Sequence, residues 1–417
     1  MSFKIRKHFT GILFILLTTF VISDAYGEVK LPKLFTDNMI IQRNTEIPVW
    51  GYSDPNEKIN IQFKDKNYST EADQNGYWSI KLAPSQEGGP YSIIINDIVI
   101  NNVLVGDVWL CSGQSNIDLP IYRVEDLYKV LTDTLRRPNI RLLKVPNTTN
   151  IHDRSEDIGE TVWRELSPEN VSDFSAFSYF LAYDLYEKTG IPQGVIASSW
   201  GGTPIQSWIG QEYIKSYPNY KSELLLVKDD EYVDNINRAA QIANSKWNNL
   251  LYKLDKGVHE EWYSEDLDDN DWREVSQNNN REWTQTEFGP FNGSYWFRQK
   301  INIDKDYAGK EALLRLGCLV DADSTYVNGI LVGSTGYQYP PRKYEIPKGL
   351  LKEGVNVITI RLIGGSNAEF VKDKPYKIVF EDKSELQLSE IWKFKHGAHL
   401  PLRNVQGIGM QNSPTAC

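Results

Sequence analysis

The chain has 417 residues and a formal net charge of −10 at pH 7. That length exceeds what one ordinary core organises and predicts two or three domains, while the acidic balance argues against nucleic acid as a partner. Three cysteines, Cys111, Cys318 and Cys417, form an odd count without paired spacing, so the sequence offers no disulfide framework and no zinc site; Cys111 reads as a small buried packing residue.

Residues 1–27 place Lys4, Arg6 and Lys7 ahead of the apolar run 12–22, followed by Ala25-Tyr26-Gly27. This is the layout of a secretory signal peptide with a small-x-small cleavage site, and it predicts a secreted or periplasmic product. Removing a segment of net +2, from Lys4, Arg6 and Lys7 against Asp24, leaves a charge of −12. No other stretch reaches transmembrane length.

Residues 28–102 alternate apolar and polar positions in short runs at 47–50, 59–63, 78–82 and 91–95. Turn signals at Asp54-Pro55, Asn75-Gly76 and Gly88-Gly89-Pro90 separate them, which predicts an N-terminal β-sandwich. From 103 to about 210 the pattern changes to strand, loop, helix and strand. Residues 103–110 read as an apolar strand inside GDVWLCSGQSN, with Ser115 just beyond its C-terminal end. A serine at the carboxyl edge of an open α/β sheet is exposed to substrate and close to free backbone N–H groups, so Ser115 is the candidate nucleophile.

Phe174, Phe177, Leu181 and Leu185 recur at helical spacing, and Gly190 with Pro192 ends that helix. The block GVIASSWGGTPIQSW, residues 194–208, is a second apolar strand that ends in Gly201-Gly202, where close backbone approach and positive φ are available. A further amphipathic helix is predicted from 234 to 254, with Ile236, Ala239, Ala243, Trp247 and Leu250 as a core stripe. Acidic runs at 229–231 and 265–271 read as solvated loops.

Residues 260–383 return to β-type sequence, with SYWFRQKINI, NVITIRLIGG and an Asn328-Gly329 hairpin turn. Trp262, Trp272, Trp283 and Trp296 either stack on sugars or pack in a core. Residues 386–395 read as a strand leaving this region, with His396 and His399 in the loop behind it. The His-x-x-His spacing lacks a third ligand, so neither a metal nor another cofactor is expected.

The GDVWLCSGQSN and GVIASSWGGTPIQSW blocks, in this order, resemble the sialate O-acetylesterase family of SGNH-type hydrolases. The resemblance implies a multidomain α/β plus β protein: a β-sandwich at 28–102, the first part of an SGNH-like α/β hydrolase domain at 103–255, an inserted jelly-roll sugar-binding-like domain at 256–385, and a return to the catalytic domain at 386–417. It implies Ser115 as nucleophile and Gly201 or Gly202 as oxyanion donor, in an enzyme that hydrolyses O-acetyl esters on sialic acid or related glycans. The family's Asp-x-x-His pair and Gly-Glu-Ser-Asn block do not occur, so the sequence looks like the front part of a member, cut off before its base. A catalytically dead or carbohydrate-binding product is the alternative. The acidic charge gives anionic sialic acid no general attraction, so a sialoside site would need a local positive or hydrogen-bonding pocket.

Overall fold

The computed structural model describes residues 28–400 except 126–127, 129–135, 153–154 and 286–291. The signal-peptide reading of residues 1–27, and Cys417 with the rest of 401–417, lie outside the described residues. The architecture is mixed α/β with β-rich regions, and the chain divides into two compact units. The first comprises residues up to 112 with 132–148 and 155–198; the second comprises 113–131, 149–154 and the chain from 199 onward.

In the first unit the alternating runs become strands because every second side chain can be buried. β1 (Ile40–Gln42) is followed by β2 (Ile47–Tyr52), β3 (Lys58–Phe63), β4 (Lys66–Glu71), β5 (Tyr77–Leu82), β6 (Gly88–Ile95) and β7 (Ile98–Gly113). β2 and β5 pair antiparallel by themselves. With β8 (Arg137–Lys144), β9 (Arg164–Leu166) and β10 (Gln193–Ser199), the other strands form one sheet in the order β4-β3-β6-β7-β10-β8-β9, with β1 parallel to β7. β8 and β10 are parallel, as a βαβ reading requires.

The sequence boundary at 102/103 falls inside β7. Its first half closes a hairpin with β6, and the same strand continues to Gly113 beside β10, so the β-sandwich stretch and the α/β stretch share one sheet. Ile59, Ile61, Phe63, Trp78, Val103, Val105 and Leu143 meet in one core.

The helix Ala176–Thr189 is capped by Ser175, whose side chain accepts from Ser178 N at 3.1 Å, and ends at Gly190 with φ 68°. Its buried face is carried by Tyr179 and Ala182, while Phe177 is exposed. The apolar stripe read from the sequence is therefore only partly the buried one: Phe174 is buried, Leu181 and Leu185 are half-buried, and Tyr179 adds to the inner side.

The second unit contains a long helix, Asp230–Leu254, capped by Asp229 through Tyr232 N. Its expected core stripe is only partly covered: Ile236, Ala243 and Trp247 are half-buried. Leu251 is buried and Trp247 packs with it on Ala398 and Leu400, but Ala239 and Leu250 are exposed.

Two antiparallel sheets follow. β11 (Arg273–Ser276), β12 (Asn292–Ile303), β15 (Ala322–Val327), β16 (Ile330–Thr335), β18 (Gly354–Gly364) and β22 (Ile391–Leu400) order as β11-β22-β12-β18-β15-β16. β13 (Ala312–Leu316), β17 (Lys343–Ile346), β20 (Tyr376–Phe380) and β21 (Glu385–Gln387) form the second sheet, and β14 (Leu319–Val320) pairs with β19 (Glu369–Phe370). Tyr295, Phe297, Ile358 and Ile360 of the first sheet share a core with Leu314, Ile346, Ile378 and Phe380 of the second. Asn328 and Gly329 turn the β15–β16 hairpin with φ 47° and 82°, the conformation that Asn-Gly favours.

Three expectations for this unit change. Residues 391–400 do not leave the β region; β22 is held between β11 and β12, because Trp392 and Phe394 alternate into its core. All four candidate tryptophans are buried, so packing rather than sugar stacking occupies Trp262, Trp272, Trp283 and Trp296. The acidic run at 265–271 is not wholly solvated: Asp269 is buried and bridges Arg298 and Lys300, each at 3.1 Å.

A second buried pair joins Arg342 to Asp323 at 2.8 Å, with Tyr344 Oη donating to the same carboxylate. Removing one charge strands the other in the core. Arg342→Ala is expected to lower stability by about 3–5 kcal/mol, read as the shift of the urea midpoint by tryptophan fluorescence; an unchanged midpoint would show that Asp323 does not depend on this partner.

Candidate active site

Ser115 follows β7 after Gly113 and Gln114 and opens a single helical turn, Ser115–Asp118. The turn forms because Ile117 N and Asp118 N both donate to Gln114 O at 2.9 Å. The first N–H groups of such a turn have no helical partner, so Ser115 N remains available beside its own hydroxyl. The side chain is exposed, and its hydrogen bond among the described residues is to Gln114 Oε1 at 3.5 Å.

The glycine block lies against this turn. Trp200 N donates to Gly113 O at 3.0 Å, and Gln114 Nε2 donates to Thr203 O at 2.6 Å. Thr203 is buried, with its hydroxyl donating to Trp200 O at 2.8 Å and accepting from Trp208 Nε1 at 2.8 Å. A methyl group built on Gly201 would stand 3.6 Å from Ser115 Cα and Cβ, so the glycine backbone lies directly beside the serine. Gly202 has φ 82°, a conformation that costs other residues roughly 1–2 kcal/mol.

Asp118 is given no role by the sequence alone. Its Oδ1 accepts from Ser199 Oγ at 3.0 Å and its Oδ2 accepts from Gly201 N at 3.3 Å. One carboxylate therefore ties the serine turn to the glycine turn. It also distinguishes the two glycines: the Gly201 N–H is engaged, whereas no partner holds the Gly202 N–H among the described residues. The signal was present in sequence only as an acid three residues after the serine; its partners are more than 80 residues away.

The histidines are not brought to the serine. Among the described residues none bonds to Ser115 Oγ. His152 Nε2 meets Asp230 Oδ1 at 2.9 Å, and His259 Nε2 meets Tyr252 O at 2.9 Å. His396 and His399 stand in β22 rather than in a loop, opposite Tyr295 and Gly293 of β12, with their rings 4.7 Å apart. His396 Nε2 bonds to Trp283 O at 3.0 Å. Burial, and then the neighbouring His399, pull the His396 pKa down to about 4, against the opposing effect of the Trp283 carbonyl. Cys111 is buried, as a packing residue would be. No group of three or more metal-binding side chains is assembled among the described residues.

Two outcomes follow from this geometry. Asp118→Ala should weaken the link between the two turns by about 1 kcal/mol, seen as severalfold faster amide exchange at Gly201 with the global unfolding midpoint unchanged; unaltered exchange would mean that the carboxylate does not hold the glycine turn. His396 binds its proton more weakly when folded than at the unfolded value of about 6.5. Its contribution to stability is thus complete above that pH and is lost as the pH falls towards 4. Melting temperatures of the parent and His396→Gln proteins across this window should diverge, with the parent showing the steeper acid loss.

No family profile matches the chain. Curated relatives do: the sialate O-acetylesterases of Pongo abelii and Homo sapiens are 27% and 26% identical over 209 residues, covering 45% of this chain and 40% of theirs. The chain thus spans less than half the length of these relatives. Among solved structures, a carbohydrate acetylesterase from Xanthomonas citri is 32% identical, covering 44% of this chain and 43% of its own, with a TM-score of 0.42.

Proposed function

The chain is a relative of the sialate O-acetylesterases, and from that kinship we propose that it is a carbohydrate esterase that removes O-acetyl groups from sialic acid or related glycans, with Ser115 as nucleophile. The observation that carries the reading is the exposed Ser115 turn, tied by Asp118 to the glycine turn beside it. In this reading β8 and β10 belong to the front of an SGNH-type hydrolase sheet, and the two antiparallel sheets of the second unit are the inserted jelly roll. Residues 1–27 direct export, so the substrate is met outside the cytoplasm. No helix among the described residues is long and apolar enough to cross a membrane.

Ser115 Oγ attacks the acetyl carbonyl carbon, which becomes tetrahedral as the π-bond electrons move onto the carbonyl oxygen to make an oxyanion. Ser115 N–H and Gly202 N–H are the donors we assign to it, since Gly201 N–H is engaged by Asp118. A fixed donor of this kind lowers the barrier by roughly 3 kcal/mol. Collapse of the intermediate breaks the bond to the sugar oxygen and leaves the acetyl group on Ser115, from which water releases acetate. The hydroxyl proton passes to a base and then to the departing sugar oxygen. Among the described residues that base is assigned to no histidine.

Acetate release from an O-acetylated sialic acid and from an aryl acetate, by the purified chain and its Ser115→Ala variant, tests the assignment. The parent should release acetate and the variant should lose at least about 10³-fold. Equal release from both, or none from the folded parent, would remove Ser115 and this activity from the chain.

A further inference from the structure

A polar recess of about 370 Å3 lies in the second unit and shares no residue with the Ser115 turn. The loop 277–281 after β11 forms one wall and residues 369–372, in and after β19, form the other. Its size falls within the range of small-molecule clefts, roughly 300–1,000 Å3.

Both walls are fixed before any ligand arrives. Gln277 N donates to Glu390 O at 2.8 Å, and Gln277 Oε1 accepts from buried Trp392 Nε1 at 3.1 Å. Asn280 Nδ2 donates across to Ala368 O at 3.2 Å, next to the facing wall. That wall is held by the β14–β19 pairing and by Val371 N, which donates to Cys318 O at 3.0 Å. Just beyond the loop, Trp283 packs edge-on against Phe370, and both are buried. A frame anchored in this way spends little ordering entropy on binding.

The side chains on that frame are uncommitted. Asn278, Arg281, Glu369 and Lys372 make no side-chain hydrogen bond among the described residues, whereas the nearby Glu282 carboxylate is occupied by Ser276 N and Asn279 Nδ2, both at 2.9 Å. An amide, a carboxylate and two cations together match vicinal hydroxyls, each of which both donates and accepts. The two cations outnumber the one carboxylate of the lining, in a chain whose net charge is −10. A guanidinium grips a carboxylate through two parallel hydrogen bonds. Ring stacking is absent from the chemistry on offer, because Phe370 is 1% exposed.

The geometry points to this recess as a binding site for a carboxylate-bearing saccharide, with Arg281 and Lys372 holding the carboxylate and Asn278 and Glu369 meeting the hydroxyls. Binding there needs no ester and no turnover, so it stands or falls separately from the esterase reading.

Calorimetric titration of the full chain with galacturonic acid, N-acetylneuraminic acid and neutral galactose, at low salt, tests the site. At least one of the acids should bind about tenfold or more tightly than galactose. Arg281→Ala and the Arg281→Ala/Lys372→Ala pair should each remove about tenfold or more of that affinity, while Ser115→Ala leaves it unchanged. Both cations are exposed, and an unshifted tryptophan emission spectrum confirms that the variants are folded. Equal affinity for acid and neutral sugar, binding that survives in the double variant, or no heat from either acid up to about 20 mM would overturn the assignment.

Discussion

The candidate site depends on the register of one strand. β7 runs for 16 residues, pairs antiparallel with β6 and parallel with β1, and hands the chain directly to the Ser115 turn. Val103, Leu104, Val105 and Gly106 are all buried, so both faces of this stretch are covered and a slip in register would misplace packing on each. The packing that fixes the register of this strand therefore also determines where the serine emerges. The turn needs few interactions of its own, and these are short-range bonds to Gln114 together with the Asp118 carboxylate.

A second theme is the choice of arginine for buried charge. Arg141, Arg298 and Arg342 are almost fully buried, and each meets a carboxylate: Glu165 at 2.8 Å, Asp269 at 3.1 Å and Asp323 at 2.8 Å. The planar guanidinium has donors to spare and also reaches backbone carbonyls, as Arg298 does with Trp262 O and Arg342 with Asp321 O. Lysine offers a compact, strongly hydrated charge and would lose more on burial. For Asp269, burial by itself would raise the pKa, but hydrogen bonds from Arg298 and Lys300 outweigh it and hold the carboxyl below its ordinary value. Two of these pairs fasten a loop to a sheet, Asp269 to β12 and Arg342 to β15, while Arg141 and Glu165 join the paired strands β8 and β9.

Local features were legible in the sequence and long-range ones were not. The strands of residues 47–95, the Gly190 helix end and the Asn328-Gly329 turn are dictated by neighbouring residues, and all are found. The unbroken course of β7 was hidden, because pairing partners on its two halves come from distant parts of the chain. Asp269 looked like one more acid in a charged run; only the fold brings Arg298 to it. The stripe on the helix Asp230–Leu254 is a true amphipathic pattern, yet periodicity says nothing about what covers it, and it is only half-covered among the described residues. At the site, Ser115 and the glycine pair were visible as local motifs, whereas the tie through Asp118 spans more than 80 residues.

The packing of Trp262 against Trp272 has an optical consequence. Their ring centroids are 5.1 Å apart with planes inclined at 67°, and Trp296 lies 6.1 Å from Trp262. Indole transition dipoles held this close and at fixed oblique angles exchange excitation and split their absorption into bands of opposite rotational strength. The second unit thus carries a chiral chromophore made of side chains alone. Its circular-dichroism signature depends on ring separation rather than on helix or strand content, and it would vanish on loosening of this cluster even if every backbone hydrogen bond persisted.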